Sequence, residues 1–348
     1  MSLPKEFVDA HHHFLDTSKH GSTFQKFLAG LIPNFSYSAE DYQRDVIDPL
    51  EKAGVTVRGS VHMECIPDSG IDEAKWVDSS NSSTDTSIRG IIASCDLAQD
   101  ISVVKNELQA LSQIDRVKGI RWILDCVGKF NGGNDATHVA TKRHDGIDYL
   151  RGSDGGYDGG AIPAFEAGFA LLEDFGLTFD LQCAPAQLVE ASELCSRHPS
   201  VKVVIDHLGK PRTLLGADTK ENRDNIDPDE QELAVWREGM KCMAKNKNAY
   251  VKISMLGYAI PGWIRTDARI ELMKTVVRET VQIFGPERCM VASNFWKDAV
   301  MSDSDGLSDV GPEVLQLLEL VHGFLKDDYS ENDIHRIFSK NAIEFYGL

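Results

Sequence analysis

Phe7-Val8-Asp9-Ala10-His11-His12-His13 is the stretch on which the reading of the chain turns. An apolar, strand-like run passes into imidazoles close to the N-terminus. Alternation along a strand puts Asp9, His11 and His13 on one face and Val8, Ala10 and His12 on the other. Two imidazoles two residues apart, at a strand's C-terminal end, can both reach one divalent ion. A histidine-rich tail is the bland alternative, but a native-looking strand leads into the histidines and an ordinary chain follows. An H-x-H pair alone is a weak signal, so its meaning depends on what the rest of the chain delivers to the same place.

Seven further β-rich runs follow, at 57–65, 88–97, 117–124, 177–184, 201–208, 249–256 and 288–295. Helical periodicity fills the gaps between them. Ser38-Ala39-Glu40-Asp41 opens the first helix, which ends before Gly54, and Asp72 begins the second. The others are expected at 98–114, 161–175 (closed by Gly176), 186–197, 229–246, 267–284 and 311–326, with a last helix at 331–345. Eightfold strand–helix alternation predicts a (β/α)8 TIM barrel, one domain over 1–348. A doubly wound sheet more often carries a glycine-rich phosphate loop after its first strand, where this chain has histidines. Helix-to-strand connections are short, whereas strand-to-helix loops at 14–37, 125–160, 209–228, 257–266 and 296–310 are long, as barrel enzymes arrange them. The glycines at 132–133 and 152–160 follow no phosphate-binding pattern, which leaves a lid or a plain solvated loop.

The totals narrow the function. The 348 residues carry a net charge of −18, which argues against nucleic acid or an anionic membrane as partner. A small-molecule substrate, anionic or polyhydroxylated, remains open, as does an oligomer. Seven scattered cysteines without C-x-x-C spacing suit reduced thiols in a cytoplasmic protein. There is no apolar leader after Met1 and no membrane-length apolar run.

Strand parity gives the candidate site. The polar parity is expected to face the barrel interior: Ser60, His62 and Glu64 on the second strand, Arg121 on the fourth, Asp180 and Gln182 on the fifth, Lys252 and Ser254 on the seventh. His207 follows Val203 and Ile205, and Asn294 follows Met290 and Ala292. The C-terminal members His11, His13, Glu64, Arg121, Gln182, His207, Ser254 and Asn294 should meet at the mouth. Singly, each is as well explained as a satisfied core residue. Together, so many buried polar groups are costly unless they bind something.

Asp-Ala-His-His-His at 9–13, Gly-Ile-Arg at 119–121, Asp-Leu-Gln-Cys-Ala-Pro at 180–185, Asp-His-Leu-Gly-Lys-Pro at 206–211, Val-Lys-Ile-Ser at 251–254 and Met-Val-Ala-Ser-Asn-Phe at 290–295 together resemble amidohydrolase family 2, the branch of the sugar-acid lactonases and the pyrone dicarboxylate hydrolase. The resemblance implies a TIM barrel that hydrolyses a cyclic ester or amide by water attack on the carbonyl. It implies that His11, His13 and His207 either hold one zinc-like divalent ion or, in metal-independent members, polarise the carbonyl themselves. The family commonly ends its eighth strand with a water-activating aspartate. This chain has Asn294, and a neutral amide is no general base. Asp298 and Glu64 are the candidate bases. Arg121, with Lys210 second, would anchor a carboxylate or hydroxyl, and Trp296 would line the pocket or pack. A metal-dependent decarboxylase and a ligand-binding barrel without catalysis are the competing readings.

Overall fold

The structure is a computed structural model that describes residues 2–16, 22, 25–26, 36–80, 88–125, 147–151, 162–211, 214–215, 225–260, 262–295 and 312–348. Eight parallel strands run in chain order around one sheet: β1 (Glu6–His12), β2 (Thr56–Met63), β3 (Ile88–Ser94), β4 (Val117–Arg121), β5 (Thr178–Leu181), β6 (Val203–Ile205), β7 (Ala249–Ile253) and β8 (Cys289–Val291). Beyond the end of β8 the chain returns to β1. Asn294 N–H donates to His11 O at 2.8 Å, His13 N–H donates to Phe295 O at 2.8 Å, and His12 bridges Phe295 in parallel. The chain is a (β/α)8 barrel, as the strand–helix alternation predicts.

The helices follow the sequence signals closely. α1 is continuous through Ala39–Tyr42, Gln43–Ile47 and Asp48–Lys52. Ser38 and Asp41 cap it reciprocally, Asp41 N–H to Ser38 Oγ at 3.2 Å and Ser38 N–H to Asp41 Oδ2 at 2.8 Å. α2 (Gly70–Ser80), α3 (Ile101–Leu111), α4 (Pro163–Phe175), α5 (Leu188–Arg197), α6 (Glu230–Ala244), α7 (Asp267–Phe284) and α8 (Val314–Leu325) complete the outer ring. Pro163 starts α4, where its fixed φ suits a first turn, and Gly176 at φ 64° stops it. Among the described residues no helix is long and apolar enough to cross a membrane.

Two apolar cores result. The outer one packs Phe179, Ile205, Val251 and Val291 of the strands against the helices. The inner one fills the lower barrel with Val8, Ala10, Val61, Met63, Ile92, Val204, Met290 and Ala292. A final helical stretch, α9, runs through Glu331–His335, Arg336–Lys340 and Asn341–Tyr346, and its Ala342, Phe345 and Tyr346 join that inner core as a plug. Each such side chain removed from water contributes about 1.5–3 kcal/mol when large. This apolar tier is the floor on which the polar mouth stands.

Strict alternation fails on two strands. Val61 and Met63 face inward, so Ser60 and His62 face out, opposite to the expected parity. On β1, Asp9 pairs with Ser60 but His12 pairs with His62, so three steps on β1 match two on β2. This bulge lets Val8 and Ala10 point inward below it and His11 and His13 point inward above it. Asp9 is therefore not a companion of His11. It faces outward and accepts from Tyr42 Oη at 2.8 Å and from Ser293 N–H at 2.8 Å.

Candidate active site

The inner face above the floor is polar and closed. His11, Arg121, Asp180, Gln182, Asp206, His207, Lys210, Lys252, Ser254, Asn294 and Glu64 are all buried, and His13 nearly so. The expected mouth residues do meet: His11 Nε2 lies 3.2 Å from His13 Nε2, His13 Nε2 lies 3.2 Å from Asn294 Oδ1, and the His11 and His207 ring centres are 4.8 Å apart. Asp298 and Trp296 fall outside the described residues, as does most of the 125–160 loop.

His207 reaches this site by a route that alternation does not give. Val203 and Ile205 face the outer core, so a further strand step would turn His207 outward as well. The backbone instead enters the left-handed region at His207 (φ 54°), Leu208 (56°), Gly209 (72°) and Lys210 (53°). Only Gly209 adopts this without steric cost, and the other three each cost about 1–2 kcal/mol. Trp236 Nε1–H donating to Leu208 O at 2.6 Å and Lys210 N–H donating to His207 O at 2.8 Å hold the turn. Asn294 at φ 50° is a second left-handed residue spent on aiming a side chain inward. Such strain gathers where geometry serves a function.

The rings are oriented from behind. His13 Nδ1 stands 3.0 Å from the Met63 carbonyl, an acceptor only, so Nδ1 carries the proton and Nε2 keeps its lone pair. His207 Nδ1 stands 2.9 Å from Ser254 Oγ, and His11 Nδ1 faces Asp206 Oδ1 at 3.5 Å. Burial, together with the positive charges of Lys252 and Arg121 nearby, pushes His11 and His207 far below the ordinary imidazole range, so both are neutral at pH 7.

Carboxylates outnumber cations here. Lys252 donates to Asp180 and lies 3.1 Å from Asp206 Oδ1. Arg121 pairs with Glu64 at 2.8 Å, donates to Glu64 O at 2.6 Å and Gln182 Oε1 at 3.3 Å, and stands 3.5 Å from Asp206 Oδ2. Lys210 pairs with Asp125. Among the described residues, three cations thus face four carboxylates. Burial alone would raise the Asp206 carboxyl, but the Lys252 and Arg121 charges hold it below the usual range, so it is ionised. Its oxygens face the Lys252 ammonium at 3.1 Å and the Arg121 guanidinium at 3.5 Å.

These features fit a divalent cation. The nitrogen and carboxylate atoms of His11, Asp206 and His207 lie within 4.8 Å of one another. His13 Nε2 lies 3.2 Å from both His11 Nε2 and Asn294 Oδ1, and ligands about 2.1 Å from a tetrahedral ion stand roughly 3.4 Å apart. Asp206, Lys252, Asp180, Asp125 and Tyr346 were not among the expected site residues. Asp180 and Lys252 had the inward parity that could have marked them. Asp206 lies next to His207 in a motif whose turn hid its direction. Tyr346, whose Oη donates to Asp180 Oδ1 at 2.7 Å, comes from the plug helix, and no strand pattern points to it.

Comparison with known proteins agrees with this architecture. The amidohydrolase family, Amidohydro_2, matches residues 115–348, and the chain belongs to it. An uncharacterized protein of Sinorhizobium fredii, y4mH, is 28% identical over 184 residues, 53% of this chain and 52% of that protein, so the match spans about half the length of the curated relative. An amidohydrolase of Burkholderia multivorans, solved with bound zinc, superposes with a TM-score of 0.67 at 17% identity over 98% of this chain and 99% of that one. A putative 2-pyrone-4,6-dicarboxylic acid hydrolase of Pseudomonas putida superposes with a TM-score of 0.60 at 12% identity over 100% and 98%. At those identities the two solved structures speak for the fold.

Proposed function

We propose that this chain is a metal-assisted hydrolase that opens a lactone at the C-terminal mouth of its barrel. The observation that carries the reading is the convergence of His11, His13 and His207 with an ionised, buried Asp206. His11, His13 and His207, joined by Asp206, would hold one zinc-like ion, as the zinc-bound Burkholderia amidohydrolase makes plausible. Bound there, the ion supplies Lewis-acid polarisation of the ester carbonyl and a lowered pKa for water. The chain's own part is orientation: Met63 O and Ser254 Oγ aim the His13 and His207 rings, and burial keeps His11 and His207 neutral and able to donate lone pairs.

Asp298 is the proposed base for the attacking water, with Trp296 lining the ring. Glu64 is the weaker candidate, because Arg121 Nε at 2.8 Å and Ile66 N–H at 2.8 Å already engage both of its oxygens. Arg121, Gln182 and Lys210 line the wall that receives the substrate. Each described cation there is already matched to a carboxylate, which favours a neutral polyhydroxylated lactone over a dicarboxylate pyrone.

Purified protein assayed for proton release on a panel of sugar-acid lactones and pyrones tests the reading. Turnover of the neutral lactones is expected. Carbon dioxide release from carboxylic acids instead would assign a decarboxylase, and tight binding without turnover would assign a ligand-binding barrel.

A further inference from the structure

Beneath the proposed ion site lies a cation that the chain supplies itself. Lys252 is wholly buried. Its Nζ donates to Asp180 Oδ1, sits 3.1 Å from Asp206 Oδ1 and 3.4 Å from His11 Nδ1, and lies 5.6 Å from the centre of the Tyr346 ring. Tyr346 Oη donates to the same Asp180 oxygen at 2.7 Å. A column therefore runs from the plug helix through Tyr346, Asp180 and Lys252 to Asp206 and His11. The upper two members of that column belong to the cluster able to hold an ion.

We propose that Lys252 is a positioning residue that acts as a resident cation: it takes the inner side of the His11–Asp206 pair, keeps both aligned when no ion is bound, and weakens the hold on a divalent ion by competing for Asp206. The inference rests on the proposed metal-binding reading of His11, His13, His207 and Asp206. Two consequences follow from charge alone. A unit positive charge a few ångströms from a dication repels it strongly in a protein interior, so the ion should be exchangeable instead of permanent. The ligands also stay assembled without the ion, because Lys252 compensates the buried carboxylates that would otherwise repel each other.

The test is a zinc titration of the chelator-stripped full chain by calorimetry, with circular dichroism to verify folding. Lys252→Met should bind zinc at least roughly tenfold more tightly than the unsubstituted chain, because one repelling charge is gone. Asp180→Asn, which leaves the ammonium to Asp206 alone, should bind zinc more weakly. A purely structural role for the column predicts weaker binding in both variants. If Lys252→Met does not fold, the double variant Asp180→Asn/Lys252→Met removes the ion pair as a unit. It should then bind zinc more tightly than Asp180→Asn. Equal affinity in all folded proteins overturns the resident-cation role and leaves the ion site standing. Zinc binding only in variants lacking Lys252 supports it in its strongest form. Absence of binding in every protein overturns both this inference and the metal-assisted reading.

Discussion

Two groups of histidines sit back to back across the seam between β1 and β2, and they are built to opposite ends. On the outer face, His12 stacks on Tyr42 at 4.3 Å between ring centres and meets Ser60 Oγ at 3.0 Å. His62 stacks on Phe14 at 5.7 Å and accepts from Phe14 N–H at 3.2 Å. On the inner face, the His11 ring meets the His13 and His207 rings at 5.0 and 4.8 Å between centres, and His11 also faces Asp206. Four of these five, His11, His12, His13 and His62, lie on or just past the neighbouring strands β1 and β2, so residue type does not separate them. What separates them is what the rings face: His12 and His62 pack on Tyr42 and Phe14 with one nitrogen each meeting Ser60 or Phe14 N–H, whereas the inner rings face one another, Asn294 and Asp206. The first arrangement stabilises a fold. The second is unfavourable without a cation and marks a site.

The strongest way to break this contrast is to remove one ring from each side. His13→Ala should lower kcat/KM on the turned-over lactone by on the order of a thousandfold or more, with little change in the unfolding midpoint. His12→Ala should leave kcat/KM within a few-fold and cost about 2–4 kcal/mol of stability, through the cavity and the lost stacking. Urea unfolding and steady-state kinetics on both variants check it. If both substitutions act chiefly on stability, the inner histidines are ordinary core residues.

Asp9 sharpens the same boundary. Its carboxylate accepts from Tyr42 Oη and from Ser293 N–H and Oγ, tying β1, α1 and the end of β8 together from outside. Asp9→Ala should destabilise by about 2–4 kcal/mol, since these donors and the His11 N–H at 3.4 Å lose their partner. It should affect catalysis only through slight displacement of Asn294 and His11, read as a kcat loss far smaller than that of His13→Ala.

A gentler probe is pH. Burial depresses His12 well below the usual imidazole value and takes His62 down to about 3. Unfolded, both would protonate near their ordinary pKa of 6.5. Between roughly pH 6.5 and pH 3 the unfolded chain therefore binds more protons than the folded one, and stability falls as pH falls through that window. His62→Gln should flatten the slope of unfolding free energy against pH by about one proton's worth near pH 5, measured by urea melts from pH 7 to pH 4.5. An unchanged slope would mean that His62 is not held neutral.

Much of the barrel could be read before any coordinates, because alternation of strand and helix is a local property. Ser38, Gly176 and Pro163 do in three dimensions what their chemistry requires at helix ends. The inward placement of Arg121, Gln182 and Ser254 was also legible, since parity holds where strands are regular. It failed where backbone geometry departs from a regular strand. The β1 bulge reversed Asp9, and β2 carries Ser60 and His62 outward. His207 faces inward only because four consecutive residues turn left-handed, and pairing register and φ are not written in a residue pattern. Lys252 and Asp180 had the right parity, but a buried lysine acquires meaning only beside the carboxylates that three other elements bring to it.

The central claim is that the inner histidines, and not the outer ones, hold a divalent ion. Elemental analysis of the purified chain and of its His12→Ala and His13→Ala variants, after equilibration with limiting zinc and gel filtration, tests it most directly. The account predicts close to one zinc per chain in the unsubstituted protein and in His12→Ala, and loss of it in His13→Ala. Equal zinc in all three proteins, or full lactone turnover by a chain that holds none, would contradict it.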